Sequence, residues 1–247
     1  MKKRPLIGVT GVYTKPAGTC IYPHPREYCQ AVHDHGGVPL TIPGFLTAEE
    51  SLRYLEYVDA MIFIGGPDIP AHFYNEEPMP EVCSYLPEEL AEAHLALVKA
   101  TLQSDLPFLG VCLGCQELNV GSGGKLIQHL EDLTPRHRNS YIDLEHNKRP
   151  DTYHFVEVEE NTFLREIFGT RYVRVNSCHH QAIDPDFVGK NFKVTARSTQ
   201  DNVVEAIEYT DRDFGLGLQW HPERIDDPAH RKKVFDALIA AATKHRS

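Results

Sequence analysis

The sequence predicts an α/β fold: an open, mostly parallel central sheet flanked by helices, carrying a nucleophile elbow, with an additional small antiparallel strand region. Three observations carry this expectation. Apolar runs of strand length alternate with helical patterns through the first half of the chain, as parallel strands joined by helical crossovers do. The second half turns to short strands separated by turn signals. Within the first half, Gly110-Val111-Cys112-Leu113-Gly114 follows the apolar Leu106-Pro107-Phe108-Leu109 and spells a strand that delivers one thiol to a sharp turn.

The elements follow in order. Residues 6–10 form the first strand, and a helix over 26–35 is closed by Gly36-Gly37. A second strand, 38–42, stops at Pro43-Gly44; a helix covers 48–57, and a buried third strand, 59–64, ends at Gly65-Gly66-Pro67-Asp68. An amphipathic helix over 87–104, with Leu90, Ala93, Leu97 and Ala100 on its apolar side, feeds the elbow strand, and a helix begins over 115–120. Residues 131–151 are polar, mixed in charge and without a period, which predicts a long surface excursion of the kind that serves as a lid or substrate wall. Strands are expected at 154–158, 172–175, 192–197 and 203–209, the last two as a hairpin around Thr199-Gln200-Asp201-Asn202. A buried strand at 214–218 precedes Gln219-Trp220-His221-Pro222-Glu223, and a helix over 228–245 closes the chain.

The chemistry concentrates at two of these points. Gly110 and Gly114 let the backbone double back around Cys112, and the N–H groups opening the next helix face the sulfur, a setting that favours thiolate. Pro222 biases His221 toward extended geometry, so His221 and Glu223 project the same way, as an imidazole and its orienting carboxylate must. Cys112 is then the nucleophile, His221 the general base and acid, and Glu223 the group that fixes the imidazole tautomer.

At 247 residues, with 41% hydrophobic content, the chain is expected to form a single domain over 1–247. A net charge of −10 with scattered basic residues, apart from short clusters such as Arg136-His137-Arg138, predicts no nucleic-acid partner. Apolar stretches of strand length and the absence of a signal-peptide core after Met1-Lys2-Lys3-Arg4 predict no membrane association and a cytoplasmic protein. Six cysteines in that setting are expected to be reduced thiols.

With the elbow, the Gly-Gly-Pro loop and His-Pro-Glu in this order, the sequence resembles class I glutamine amidotransferase-like proteins of flavodoxin-like fold. Within them it resembles the γ-glutamyl-γ-aminobutyrate hydrolase subgroup of peptidase C26 type. Gly123-Gly124-Lys125-Leu126-Ile127-Gln128-His129-Leu130, Val175-Asn176-Ser177-Cys178-His179-His180-Gln181 and Val203-Val204-Glu205-Ala206-Ile207-Glu208 extend the likeness almost end to end. The resemblance implies that Gly66 and Leu113 offer backbone N–H groups as an oxyanion hole, that Gln116 helps hold a γ-glutamyl group, and that Ser177, His179 and their loop wall the pocket. It implies hydrolysis of a small γ-glutamyl amide through a thioester, with no metal and no organic cofactor. The partner is then a small-molecule γ-glutamyl substrate, with homo-oligomer formation open. One departure is Leu113, where the subgroup usually has arginine and glutaminase subunits of biosynthetic amidotransferases often have leucine.

Other readings compete. A glutaminase subunit would pass ammonia to a partner synthetase, and a non-catalytic binding protein would retain the scaffold alone. Cys112-Leu113-Gly114-Cys115 is also a C-x-x-C, but a redox pair explains neither His221-Pro222-Glu223 nor the Gly-Gly-Pro loop. Cys115 reads as a small buried residue on the elbow helix, with a protective disulfide to oxidised Cys112 as the sharper alternative. Cys178-His179-His180 with His221 lacks the spaced ligand pairs of zinc motifs and reads as a polar pocket wall. His33, His35, His72 and His94 read as exposed or capping residues, Cys20, Cys29 and Cys83 as structural, and Tyr22-Pro23-His24-Pro25 as a pocket lining.

Overall fold

The first strand, β1 (Leu6–Thr10), is buried along nearly its whole length, and α1 (Arg26–Asp34) returns the chain to β2 (Val38–Ile42). This is a computed structural model, which describes residues 4–13, 25–130, 137 and 150–246. Next, α2 (Ala48–Leu52) opens on a capping box: Thr47 Oγ1 accepts from the Glu50 N–H, and Glu50 reaches back to the Thr47 N–H. The helix expected over 48–57 tightens to a 3₁₀ turn at Arg53–Glu56, a common way to end a helix. Then come β3 (Ala60–Phe63), a 3₁₀ turn at Ala71–Tyr74, α3 (Glu88–Gln103), β4 (Phe108–Val111) and α4 (Leu113–Gly121).

The second half contributes β5 (Leu126–Ile127), β6 (Thr152–Val158), α5 (Phe163–Phe168), β7 (Tyr172–Ser177), β8 (Ala182–Ile183), β9 (Phe192–Ser198), β10 (Val204–Tyr209), β11 (Gly215–Leu218) and α6 (Pro228–His245). Two strands of two residues and a helix of six are too short to show a period, so β5, β8 and α5 were not foreseeable from hydrophobic spacing. The start of α6 has clear causes: Asp227 accepts from the Ala229 and His230 N–H groups, and Pro228 occupies the first turn.

Nine strands form one sheet in the order β2-β1-β3-β4-β11-β10-β9-β6-β7. The run from β2 to β11 is parallel, and every pairing beyond β11 is antiparallel. The expected hairpin is the β9–β10 pair, and β5 with β8 makes a separate antiparallel sheet of two strands. One apolar cluster runs through both halves, from Ile7 and Phe63 to Val156, Val175 and Trp220. Each large side chain fully buried in it contributes roughly 1.5–3 kcal/mol. No described helix is long and apolar enough to cross a membrane.

Candidate active site

The elbow is built by backbone hydrogen bonds and by two close approaches. At the end of β4, the Cys112 N–H donates to the Leu218 carbonyl (2.8 Å) and the Gly114 N–H to that of Ile64 (3.1 Å). A Cβ on Gly114 would stand 2.1 Å from the Phe63 carbonyl oxygen, and one on Gly110 would stand 2.6 Å from that of Gly114. Held this way, Cys112 sits at φ 51° and ψ −104°. Among the described non-glycine residues with positive φ the other four are all asparagines, which tolerate that region; Cys112 does not, at a cost of order 1–3 kcal/mol.

The imidazole arrives just past the neighbouring strand. In the β4–β11 register Leu218 pairs with Val111, so the residues that follow each strand emerge side by side. The His221 N–H donates to Asn176 Oδ1 (3.2 Å), and His221 Nδ1 lies 2.8 Å from Glu223 Oε1. That leaves Nε2 as the ring nitrogen available to the sulfur, and the nearby Cys112 helps raise the imidazole. Gly65 fills the angle between them: a Cβ there would meet His221 Cε1 at 2.9 Å and Cys112 Cβ at 3.6 Å. Burial pulls the His221 pKa down, but the Glu223 carboxylate and Cys112 outweigh it and Arg224, and the group is pushed up to about 9. Burial raises the Glu223 carboxyl in turn, and His221 outweighs this to hold it below its usual range. Arg224, 3.7 Å from Glu223, is itself clamped by both oxygens of Asp151 (3.0 and 2.8 Å).

A cavity of about 220 Å³ opens onto the sulfur and is lined by Gly66, Asp68, Cys112, Gln116, Cys178 and His179 among others. The Gly66 and Leu113 N–H groups donate to no protein acceptor among the described residues, Leu113 because it opens α4. Gln116 reaches the cavity, but its amide already donates to Gln219 Oε1 (3.2 Å) and the Gln181 carbonyl (3.3 Å). Ser177 does not line it: the residue is fully buried at the end of β7, where its hydroxyl donates to the His137 carbonyl (2.9 Å). His179 lines it, and its ring nitrogens meet His137, Glu205 and the Gln181 carbonyl. On the other side of Cys178 a second cavity, of about 520 Å³, is lined by Tyr28, Asp151, Glu223 and Arg224.

Two neighbours of this cluster escaped the sequence reading. Gln219 Nε2 donates to Cys112 Sγ (3.5 Å), so one side chain links the sulfur to Gln116. No local signal marks it, since Gln219 sits in a bend just past β11, two positions before His221. Tyr28 accepts the Gly65 N–H (3.0 Å) and steadies the glycine loop. His94 corrects an expectation, since it is buried, with Nδ1 2.7 Å from Glu117 Oε1. Cys115 is buried, with its thiol pushed well above the ordinary value by burial, and Cys29, Cys83, Cys112 and Cys115 are free thiols. Cys20, Tyr22, Pro23, His24, Arg136 and Arg138 lie outside the described residues.

The peptidase C26 family model matches residues 5–223. The chain belongs to the peptidase C26 family. It is 30% identical to the gamma-glutamyl-gamma-aminobutyrate hydrolase of Escherichia coli, across 98% of this chain and 94% of that protein. It is 34% identical to a putative glutamine amidotransferase of Mycobacterium tuberculosis, across 97% of this chain and 75% of that one. Among solved structures, the glutaminase domain of Trypanosoma brucei CTPS with bound acivicin superposes with a TM-score of 0.66 at 15% identity, covering 97% of this chain and 94% of that one. That likeness is one of fold. Family and relatives together make the chain a glutamine amidotransferase-like hydrolase.

Proposed function

We propose that the protein cleaves the γ-glutamyl amide bond of a small γ-glutamyl compound, such as γ-glutamyl-γ-aminobutyrate, through a thioester on Cys112. The observation that carries this reading is a buried imidazole held by Glu223 at 2.8 Å beside a strained thiol at the mouth of a cavity. The Cys112 thiolate attacks the γ-carbonyl carbon, and the oxygen turns anionic against the Gly66 and Leu113 N–H groups, each worth about 2.7–4 kcal/mol in such a site. The C–N bond breaks as protonated His221 gives its proton to the departing amine. Neutral His221 then takes a proton from water, the resulting hydroxide attacks the thioester, and glutamate leaves as the thiolate reforms. A cavity of about 220 Å³ supports a single γ-glutamyl group as the acyl part rather than a polyglutamyl chain.

The test is a panel of γ-glutamyl amides, glutamine and folyl polyglutamates assayed with purified wild type and Cys112→Ser. Turnover of small γ-glutamyl amides by wild type, lost in the variant, is the expected result. Retention of most amine release by Cys112→Ser would remove the nucleophile assignment. Leu113 favours a second reading, a glutaminase that supplies a partner synthetase, and preference for glutamine with activity only in a partner's presence would select it.

A further inference from the structure

Behind the cavity wall four side chains meet at one buried point: His154 from β6, Glu205 from β10, His179 from the segment after β7, and His137. None exceeds 4% exposure. Glu205 Oε1 lies 3.2 Å from His137 Nδ1, 3.0 Å from His154 Nε2 and 3.6 Å from His179 Nε2, while His137 Nδ1 and His179 Nε2 are 3.1 Å apart. Ligand atoms arranged tetrahedrally around a zinc ion at its usual bond lengths stand about 3.3 Å from one another. Glu205 Oε1 already stands near that distance from an imidazole nitrogen of each histidine, as His137 Nδ1 does from His179 Nε2, and His137, His154 and Glu205 bring one ligand atom each within 4.8 Å of one another.

Their hydrogens point the same way. His137 Nε2 lies 3.0 Å from Asp201 Oδ2 and His179 Nδ1 lies 2.8 Å from the Gln181 carbonyl, both acceptors, so each outer nitrogen carries the ring hydrogen. In neutral rings the facing atoms, His137 Nδ1 and His179 Nε2, then both present lone pairs to each other and to a carboxylate. Such a convergence is repulsive unless a metal ion sits within it or His137 carries a second proton between Glu205 and Asp201. Both ring nitrogens of His154 and both oxygens of Glu205 also make no well-directed hydrogen bond among the described residues, although all are buried.

We infer that His137, His154, His179 and Glu205 form a closed four-ligand site for a divalent transition-metal ion, Zn²⁺ by ligand type. Three imidazoles and a carboxylate suit zinc, and Asp201 and Gln181 supply the outer hydrogen bonds that orient metal-bound histidines. With four protein ligands and no access for water, the role is structural: the ion fastens His137 and the cavity wall at His179 to β6 and β10. No paired ligand spacing marks it in the sequence, because the ligands come from four separate segments.

The test is metal content of untagged protein, saturated with Zn²⁺ and dialysed, together with the visible spectrum after Co²⁺ replacement. We expect one equivalent of zinc per chain, tetrahedral Co²⁺ bands, loss of both in His154→Ala, and affinity lowered about 10–100-fold in Asp201→Asn, read by chelator competition. If His154→Ala fails to fold, wild-type stoichiometry and Asp201→Asn still decide. Folded wild type that retains no zinc and melts at one temperature with Zn²⁺ or EDTA would overturn the site, leaving a proton-linked His–Glu network. So would wild-type zinc affinity in Asp201→Asn. Neither outcome touches the hydrolase reading, since Cys112, His221 and Glu223 are not ligands.

Discussion

Nothing in the preferences of cysteine favours the backbone at Cys112; its neighbours impose it. Because any Cβ is strained at φ 51°, Cys112→Gly should be more stable than Cys112→Ala by roughly 1 kcal/mol, read from denaturant midpoints, although both are inactive. The proton on His221 sets a second expectation. In the proposed reaction the group must be protonated to release the amine, so activity should fall as pH rises through about 9. Glu223→Gln removes the charge that raises His221, so this alkaline limb should move to lower pH while kcat drops on the order of 10²–10⁴-fold; a pH–rate profile reads both. The meeting of Cys112, His221 and Glu223 was foreseeable from the glycines on either side of the thiol and from a carboxylate two positions past an imidazole, although residues 222–224 form a turn, with the Arg224 N–H toward the His221 carbonyl, rather than the extended chain expected there. Gln219 was not, since an amide two positions from a histidine has no role until the sulfur stands beside it. Ser177 marks the opposite failure, a polar residue inside a pocket-wall motif whose hydroxyl serves the His137 carbonyl.

At the scale of the element, the turn from β4 into α4 depends on absent side chains. Gly114→Ala would push a Cβ against the Phe63 carbonyl, which cannot swing aside; a loss of about 1–3 kcal/mol with misplacement of the thiol is expected, measured by urea unfolding and by alkylation rate of Cys112. The start of α6 has its own pH response. The Trp220 indole N–H donates to His230 Nε2 (3.0 Å), and burial lowers this imidazole from 6.5 to about 4, so the fold holds it neutral. Its contribution is complete above pH 6.5 and is lost as pH falls toward 4, worth on the order of 3 kcal/mol at 1.36 kcal/mol per pH unit. Urea titrations across that range should show a shallower loss of stability in His230→Gln than in wild type. Long periodic elements such as α3 and α6 were readable from spacing and caps. The 3₁₀ ending of α2 and the two-residue strands were not, because tertiary contacts rather than local pattern decide them.

Across the whole molecule, the alternation of strands and helices predicted the parallel half, but no local signal said that the antiparallel strands would continue the same sheet. That attachment is made by β10 pairing with β11, and it also brings Glu205 and His154 within reach of His137 and His179. The buried His94–Glu117 pair likewise joins α3 to α4 across a gap that sequence separation hides. His94→Ala strands the Glu117 carboxylate in the core and should cost about 3–5 kcal/mol, read from the thermal or denaturant midpoint.

The seam between β4 and β11 lies in the middle of the nine strands, and the Cys112 amide is one of its stitches. Its hydrogen should trade for deuterium only when the entire sheet comes apart, later than any amide of the outermost strands. Sulfur and imidazole would then part company only in that same event, and catalytic competence becomes a gauge of the intact molecule.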